Sequence, residues 1–243
     1  MYYEKKNEKM RMDISCLTTM IRRRNEDGQG FPYKAFICRC CNCLYSFKGK
    51  CSLKECCCMA ERIRAHTCSF GEMMRYCFSD VREPGFRYRL RIAIERGTEL
   101  KTCFMNAGHR KRFYEGVAKM RKGSDSLAAQ IFLLAVSESL WNEARQVLEP
   151  DGFVYSALEV SVSELDEKSF YLYQAATVLE YGSINAEMPD LADDETTDFD
   201  VFRMICYAMT ISAYGMDAVK ISEKQRGEHK HHNHKKNGVR THE

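Results

Sequence analysis

SDSLAAQIFLLAVSESLWNEARQVLEP, Ser124 to Pro150, sets the fold class. Leu127, Ile131, Leu134, Trp141, Ala144 and Leu148 recur at steps of three, four and seven residues. That is the period of one helix face, so the stretch predicts a single long amphipathic helix. Ser124 is a residue type that caps helix starts. Glu149–Pro150–Asp151–Gly152 is turn chemistry that stops one.

The same signs recur on both sides. Upstream, Asn106 is placed to cap a helix presenting Phe113, Val117 and Met120. Downstream, Ser163 is placed to cap another, with Glu167 near its first turn, Leu165, Leu172, Ala176 and Leu179 inward and Gly182 as its stop. ADDETTDFD, residues 192–200, makes an acidic lead-in to a last helix. That helix turns Phe202, Ile205, Cys206, Met209 and Ala213 inward and ends at Gly215. Four antiparallel helices over residues 103–222 would bury these stripes against one another. The chain holds only four prolines, which favours helices over a multi-turn β fold. No internal repeat is visible.

The N-terminal half reads differently. Residues 1–36 are a basic arm and loop, ending in the turn-rich NEDGQGFP. Residues 37–68 are a cysteine-rich module with nine of the chain's 13 cysteines, and its end begins a short helix near Cys57. Residues 69–102 form a connector, irregular to residue 85. Within it, 86–94 alternates Phe86, Tyr88, Leu90, Ile92 and Ile94 with Arg87, Arg89, Arg91 and Ala93, which predicts a strand with one basic face. A helix is the rival reading, because Leu90, Ala93 and Ile94 share a helical face. Residues 223–243 read as a disordered His/Lys-rich tail, where His229, His231, His232 and His234 would bind nickel or zinc weakly. The expected fold is therefore mainly α: a small metal-stapled cysteine-rich module followed by an antiparallel helical bundle.

Charge is segregated along the chain. Residues 1–122 carry +14, residues 123–222 carry −14 and residues 223–243 carry +3. Such asymmetry predicts two functional regions, or two halves that attract each other. The longest apolar run, IFLLAV from Ile131, is six residues, far short of the roughly 18 that a membrane span needs. The start of the chain lacks the apolar core of a signal peptide. A cytoplasmic protein with reduced thiols is expected, which fits the odd cysteine count.

Cys40, Cys43, Cys51 and Cys56 follow the pattern C-x2-C-x7-C-x4-C, with Lys48 and Gly49 between the pairs. A C-x2-C pair grips one ion from a tight turn, and four thiolates suit tetrahedral zinc. The layout is similar to a zinc knuckle, although it has no histidine in its loop and a longer middle spacer. The register is open: Cys38 and Cys41 form an overlapping pair, and Cys57, Cys58, His66 and Cys68 are further candidate ligands. Four thiolates would also hold an iron–sulfur cluster, the alternative cofactor. So short a segment cannot build its own apolar core, so the metal would supply its folding energy.

Around these cysteines stand Arg22, Arg23, Arg24, Arg39, Lys48, Lys50, Arg62 and Arg64, interleaved with Tyr45 and Phe47. Cations can neutralise phosphates and aromatic rings can stack on unpaired bases, which makes these the candidate nucleic-acid contacts. A solvated basic surface, or one docked on the acidic half, explains them equally well. Cys103 and His109 lack a third orienting group for nucleophilic catalysis, so His109 is expected at the surface. The acidic residues 193–200 do not match calcium-loop spacing.

CNCLYSFKGKCSLKECCCMAERI resembles short cysteine-rich segments in small accessory proteins of mobile elements from gut Firmicutes. HRKRFYEGVAKM together with AQIFLLAVSESLWNEA resembles an uncharacterised helical domain from the same gene neighbourhoods, over about residues 103–222. The resemblance implies a bacterial, cytosolic, helical accessory protein and carries no activity or catalytic residues. The expected function is a non-enzymatic zinc-binding accessory protein, with regulation among the roles open to it, that binds nucleic acid through its basic half or a protein through its acidic helical half. The rivals are a self-associating interaction module without nucleic acid, and an iron–sulfur or cysteine-dependent redox enzyme.

Overall fold

The computed structural model describes residues 59–121, 124–162, 165–182 and 190–224. These residues are mainly helical, with ten helices and one two-stranded hairpin among them. The helices are α1 (Met59–Arg64), α2 (Phe70–Cys77), α3 (Pro84–Leu100), α4 (Ala107–Val117), α5 (Asp125–Leu134), α6 (Glu138–Ala144), α7 (Tyr155–Val162), α8 (Glu167–Tyr181), α9 (Phe199–Tyr214) and α10 (Met216–Lys224). Strands β1 (Leu148–Glu149) and β2 (Gly152–Phe153) pair antiparallel about Pro150–Asp151, with Leu148 opposite Phe153.

The centre is built from α5, α8 and α9. Every residue from Leu127 to Leu134 is buried, as is every residue from Val201 to Ile211. A helix buried on all sides needs apolar residues all round, and IFLL supplies them. Residues 103–222 contribute α4 to α9 and most of α10 rather than four long helices. The expected long helix through Ser124–Pro150 is broken after Leu134. Ser137 Oγ accepts from the Leu140 N–H at 3.4 Å and starts α6. The carbonyls exposed by the break are bound by Arg112, whose Nε and Nη2 donate to Ala135 O and Val136 O at 2.8 Å each. A cation is favoured at a helix C-terminus, so the break is electrostatically matched.

Other helix ends agree with the sequence reading. Asn106 and Ser124 cap α4 and α5, and Gly182, at φ 82°, ends α8. Gly215 ends α9 at φ 58°, in the left-handed region that favours glycine. The start of α8 is corrected: Asp166 caps it, accepting from the Ser169 N–H at 3.0 Å, while Ser163 lies outside the described residues.

The connector is corrected more deeply. Within 69–85 lies α2, started by a capping box in which Ser69 Oγ accepts from Glu72 N–H and Glu72 accepts from Ser69 N–H. Residues 86–94 are helical, inside α3. Phe86, Arg89, Leu90, Ala93, Ile94 and Gly97 are buried, a three-to-four residue period, and Tyr88 is 59% exposed. Pro84 at the first turn favours a helix, and this helix buries its stripe against α2 and α9.

One apolar core takes residues from both charge halves, including Ile63, Phe70 and Phe86 with Phe132, Phe202 and Ile221. Phe86 meets Phe202 edge-on at 5.2 Å, and Phe70 meets Tyr207 at 5.3 Å. Gly97 is a point of close approach between α3, α2 and α9. A Cβ there would lie 2.5 Å from Phe70 Cε1 and 2.5 Å from Tyr207 Oη, and that hydroxyl is held by donation to Ala93 O at 2.6 Å. Gly97→Ala is therefore expected to cost about 1–3 kcal/mol in urea unfolding, because the core must open to admit one methyl. An unchanged midpoint would mean that α3 can slide away from its neighbours.

Candidate functional site

Of the sequence-predicted ligands, Cys38, Cys40, Cys41, Cys43, Cys51, Cys56, Cys57 and Cys58 lie outside the described residues, as do Arg22, Arg23, Arg24, Arg39, Lys48 and Lys50. His66, Cys68, Arg62 and Arg64 are described, and three of the four converge. Past α1 the chain turns at His66, held at φ 54°. Its Nε2 lies 2.7 Å from Asp217 Oδ1 on α10, and Lys224 Nζ donates to its carbonyl at 3.0 Å. Arg62 Nη2 donates to Glu72 Oε1 at 2.9 Å, so this candidate nucleic-acid contact is committed to an ion pair. Arg64 is exposed. His66, Thr67, Cys68, Ser69, Glu72, Ile221 and Lys224 line a cavity of about 330 Å3. Burial pushes the Cys68 thiol up to about 11. Among the described residues alone, no three histidine, cysteine or acidic side chains are grouped to hold a metal.

A larger groove of about 790 Å3 runs beside α4. Leu100, Phe104, Met105, Ala107, Tyr114 and Ala118 give it an apolar floor. Lys111, 79% exposed at its side chain and 3.8 Å from Glu115 Oε1, forms a rim of mixed charge with Glu115 and Arg110. Arg110 is positioned by Glu223, 2.6 Å from its Nε, and by the Tyr114 ring, 5.1 Å beneath its guanidinium. The Tyr114 hydroxyl donates to the other Glu223 oxygen at 2.9 Å. Burial, then that carboxylate, push the Tyr114 phenol up to about 12. Periodicity along α4 could not reveal this groove, because Leu100 and Phe104 come from outside the helix and the fold brings them to it.

His109 corrects the sequence reading, which put it at the surface. It is fully buried, with Nδ1 accepting from the Met105 N–H at 3.1 Å and Nε2 donating to Phe132 O at 2.8 Å. Burial pushes its pKa down to about 3. Both ring nitrogens are occupied, so His109 cannot serve Cys103 as a base. Cys103 is itself buried, its thiol pushed up to about 12. Cys206 is likewise buried and its thiol pushed far up. These are packing cysteines, since the nucleophile is the thiolate. The signal for His109 was its spacing, four residues before Phe113 and seven before Gly116.

The acidic stretch has local work to do. Asp198 caps α9, and Asp193 accepts from Glu195 N–H and Thr196 Oγ1 at 3.0 Å each. Arg89, buried beneath it, donates to Leu191 O at 3.2 Å, to Asp193 O at 2.6 Å and to Thr197 O. Its guanidinium also stacks 4.5 Å from the Phe202 ring centroid. The two charge halves meet through this arginine and through exposed or half-exposed pairs, His66 with Asp217 and Arg121 with Asp151, while Arg110 pairs with Glu223 just beyond the acidic half.

No family model matches the chain, and no curated protein or solved structure matches it significantly. No helix among the described residues is long and apolar enough to cross a membrane.

Proposed function

We propose that this chain is a non-enzymatic, zinc-binding accessory protein that acts in the cytoplasm by binding a partner. The observation that carries the reading is the groove beside α4, with its apolar floor and a rim on which the exposed Lys111 stands beside Arg110 and Glu115. An apolar floor with a few placed polar groups is what binding sites share. Here it suits a protein segment carrying both apolar and acidic side chains. The described cysteines Cys77, Cys103 and Cys206 add support, because all three are buried in the apolar core. Zinc is held, on this reading, by thiolates of Cys40, Cys43, Cys51 and Cys56. The resemblance to accessory proteins of mobile elements suits the same role.

Nucleic acid is the second reading. Arg87, Tyr88 and Arg91 are exposed together on α3, with Arg91 lying 5.3 Å over the Tyr88 ring, within a half that carries +14 overall. Selection from a random peptide library on the purified chain tests the first reading. Acidic, apolar peptides are expected to enrich, and Lys111→Glu and Ala118→Trp to abolish the enrichment. Indifference to both variants would overturn the groove. A gel shift that weakens between 50 and 200 mM salt would favour nucleic acid instead, because phosphate contacts release counterions. Metal analysis with a visible spectrum covers the remaining rival: iron–sulfur absorbs and zinc does not.

A further inference from the structure

We propose that the outer face of the first turns of α3 is a contact for single-stranded nucleic acid. Arg87 and Arg91 neutralise backbone phosphates, Tyr88 stacks on an unpaired base, and Arg75 on α2 extends the cationic track. The contact rests on the nucleic-acid reading and puts it on the helical body, since none of these four residues is among the arginines and lysines singled out in the sequence.

The first observation is the helix face. Phe86, Arg89, Leu90, Ala93 and Ile94 hold α3 in the core from one side. Arg87, Tyr88 and Arg91 stand on the other, all exposed, at spacings of one, three and four residues. Tyr88 keeps 59% of its surface in solvent, and the Arg91 guanidinium lies 5.3 Å from its ring centroid. Among the described residues Tyr88 takes no part in the apolar core. Its ring therefore does little for the fold. It does offer a π-face on which any base can stack, and the arginine beside it adds cation–π attraction.

The second observation is charge. Arg62, Arg96, Arg110 and Arg121 each pair with a carboxylate. Arg75, Arg87 and Arg91 are exposed and make no ion pair among the described residues. Glu95, one turn beyond Arg91, marks where the basic stretch ends, and Glu99 is taken by Arg96 at 3.8 Å. Arg75 reaches the same seam from α2. A Cβ on Gly71 would lie 3.2 Å from Arg75 Nη1 and 3.1 Å from Ile94 Cγ2, one turn along α3 from Arg91. Cations without counter-ions attract a polyanion, whose phosphates can neutralise several of them at once. The positive end of the α3 dipole adds to the same potential. The exposed ring selects a single strand, because the bases of a duplex are already stacked on one another. Leu100, at the far end of α3, lines the groove beside α4, so the two surfaces are separate.

The test is fluorescence anisotropy of a labelled oligothymidylate of about 20 nucleotides with the full chain, between 50 and 200 mM salt. Arg75→Gln, Arg87→Gln and Arg91→Gln are each expected to reduce the slope of log affinity against log salt by about 0.7, the share of one phosphate on a single strand. Tyr88→Ala should weaken binding about 5–150-fold with the slope unchanged, and Tyr88→Phe should bind as the wild type does. A duplex of the same length should bind more weakly, and tighter duplex binding would overturn the stacking role. Far-UV circular dichroism identifies any variant that fails to fold, and these exposed positions leave the core untouched. Wild-type binding that the folded variants leave unchanged would overturn this face and leave the nucleic-acid reading standing. Displacement by polyglutamate as readily as by the oligonucleotide, with Tyr88→Ala silent, would overturn it in favour of an acidic protein segment. A wild-type chain that binds no oligonucleotide would overturn both the face and the reading.

Discussion

Acidifying the solution from pH 6.5 to 4.5 is expected to cost this fold about 2 kcal/mol through His109 alone. Its ordinary value is 6.5, and burial pushes it to about 3 in the folded chain. Below pH 6.5 the unfolded chain takes up a proton that the folded chain refuses. Stability therefore rises with pH across this window and is lost as pH falls, at up to about 1.4 kcal/mol per unit. Nothing in the fold can accept the charge cheaply: Nδ1 is already an acceptor for Met105 N–H, and Arg112 and Arg203 add positive potential. Urea midpoints measured across pH 4.5–7 on the wild type and His109→Gln check this. Asp125, whose carboxyl burial raises, contributes with the opposite sign in both proteins, so the difference isolates His109. Equal slopes would show that the folded chain accommodates imidazolium.

Arg89→Met is expected to destabilise the chain by roughly 3–5 kcal/mol, the range for breaking a buried, charged interaction from one side. The arginine is 4% exposed, and it binds the backbone carbonyls of Leu191, Asp193 and Thr197. Methionine fills the volume beside Phe202 but leaves those carbonyls without a donor. Arg89→Lys should fare little better, because one ammonium lacks the planar fork that reaches all three. Urea unfolding gives the magnitude, and limited proteolysis within residues 190–198 shows whether that segment loosens first. A loss under about 1 kcal/mol would mean that water replaces the guanidinium at no great cost.

The helix starts were legible because capping is local: Asn106 and Ser124 each bind an amide three residues on. Gly182 and Gly215 were legible as stops for the same reason. Alternation misled at 86–94 because that short window reads as period two while the longer α3 buries period three to four. Arg89 then looked like part of a basic face, when it occupies the inner one. The stripe through Trp141 ran on past Ser137 because helix spacing survives a well-capped break. In the candidate site, His66 was visible as a spare ligand, but its partner Asp217 lies 151 residues away. No local pattern encodes that pairing, nor the groove beside α4. The cysteine pattern itself lies outside the described residues.

That separation sets an order of events during synthesis. His66 leaves the ribosome 151 residues before Asp217, so its ring gains that partner only once α10 exists. At about 5–20 residues per second, the nascent chain spends roughly 8–30 s with that ring unpartnered. Through that interval the thiols of the N-terminal stretch have been made, while the body against which Cys68 is buried has not.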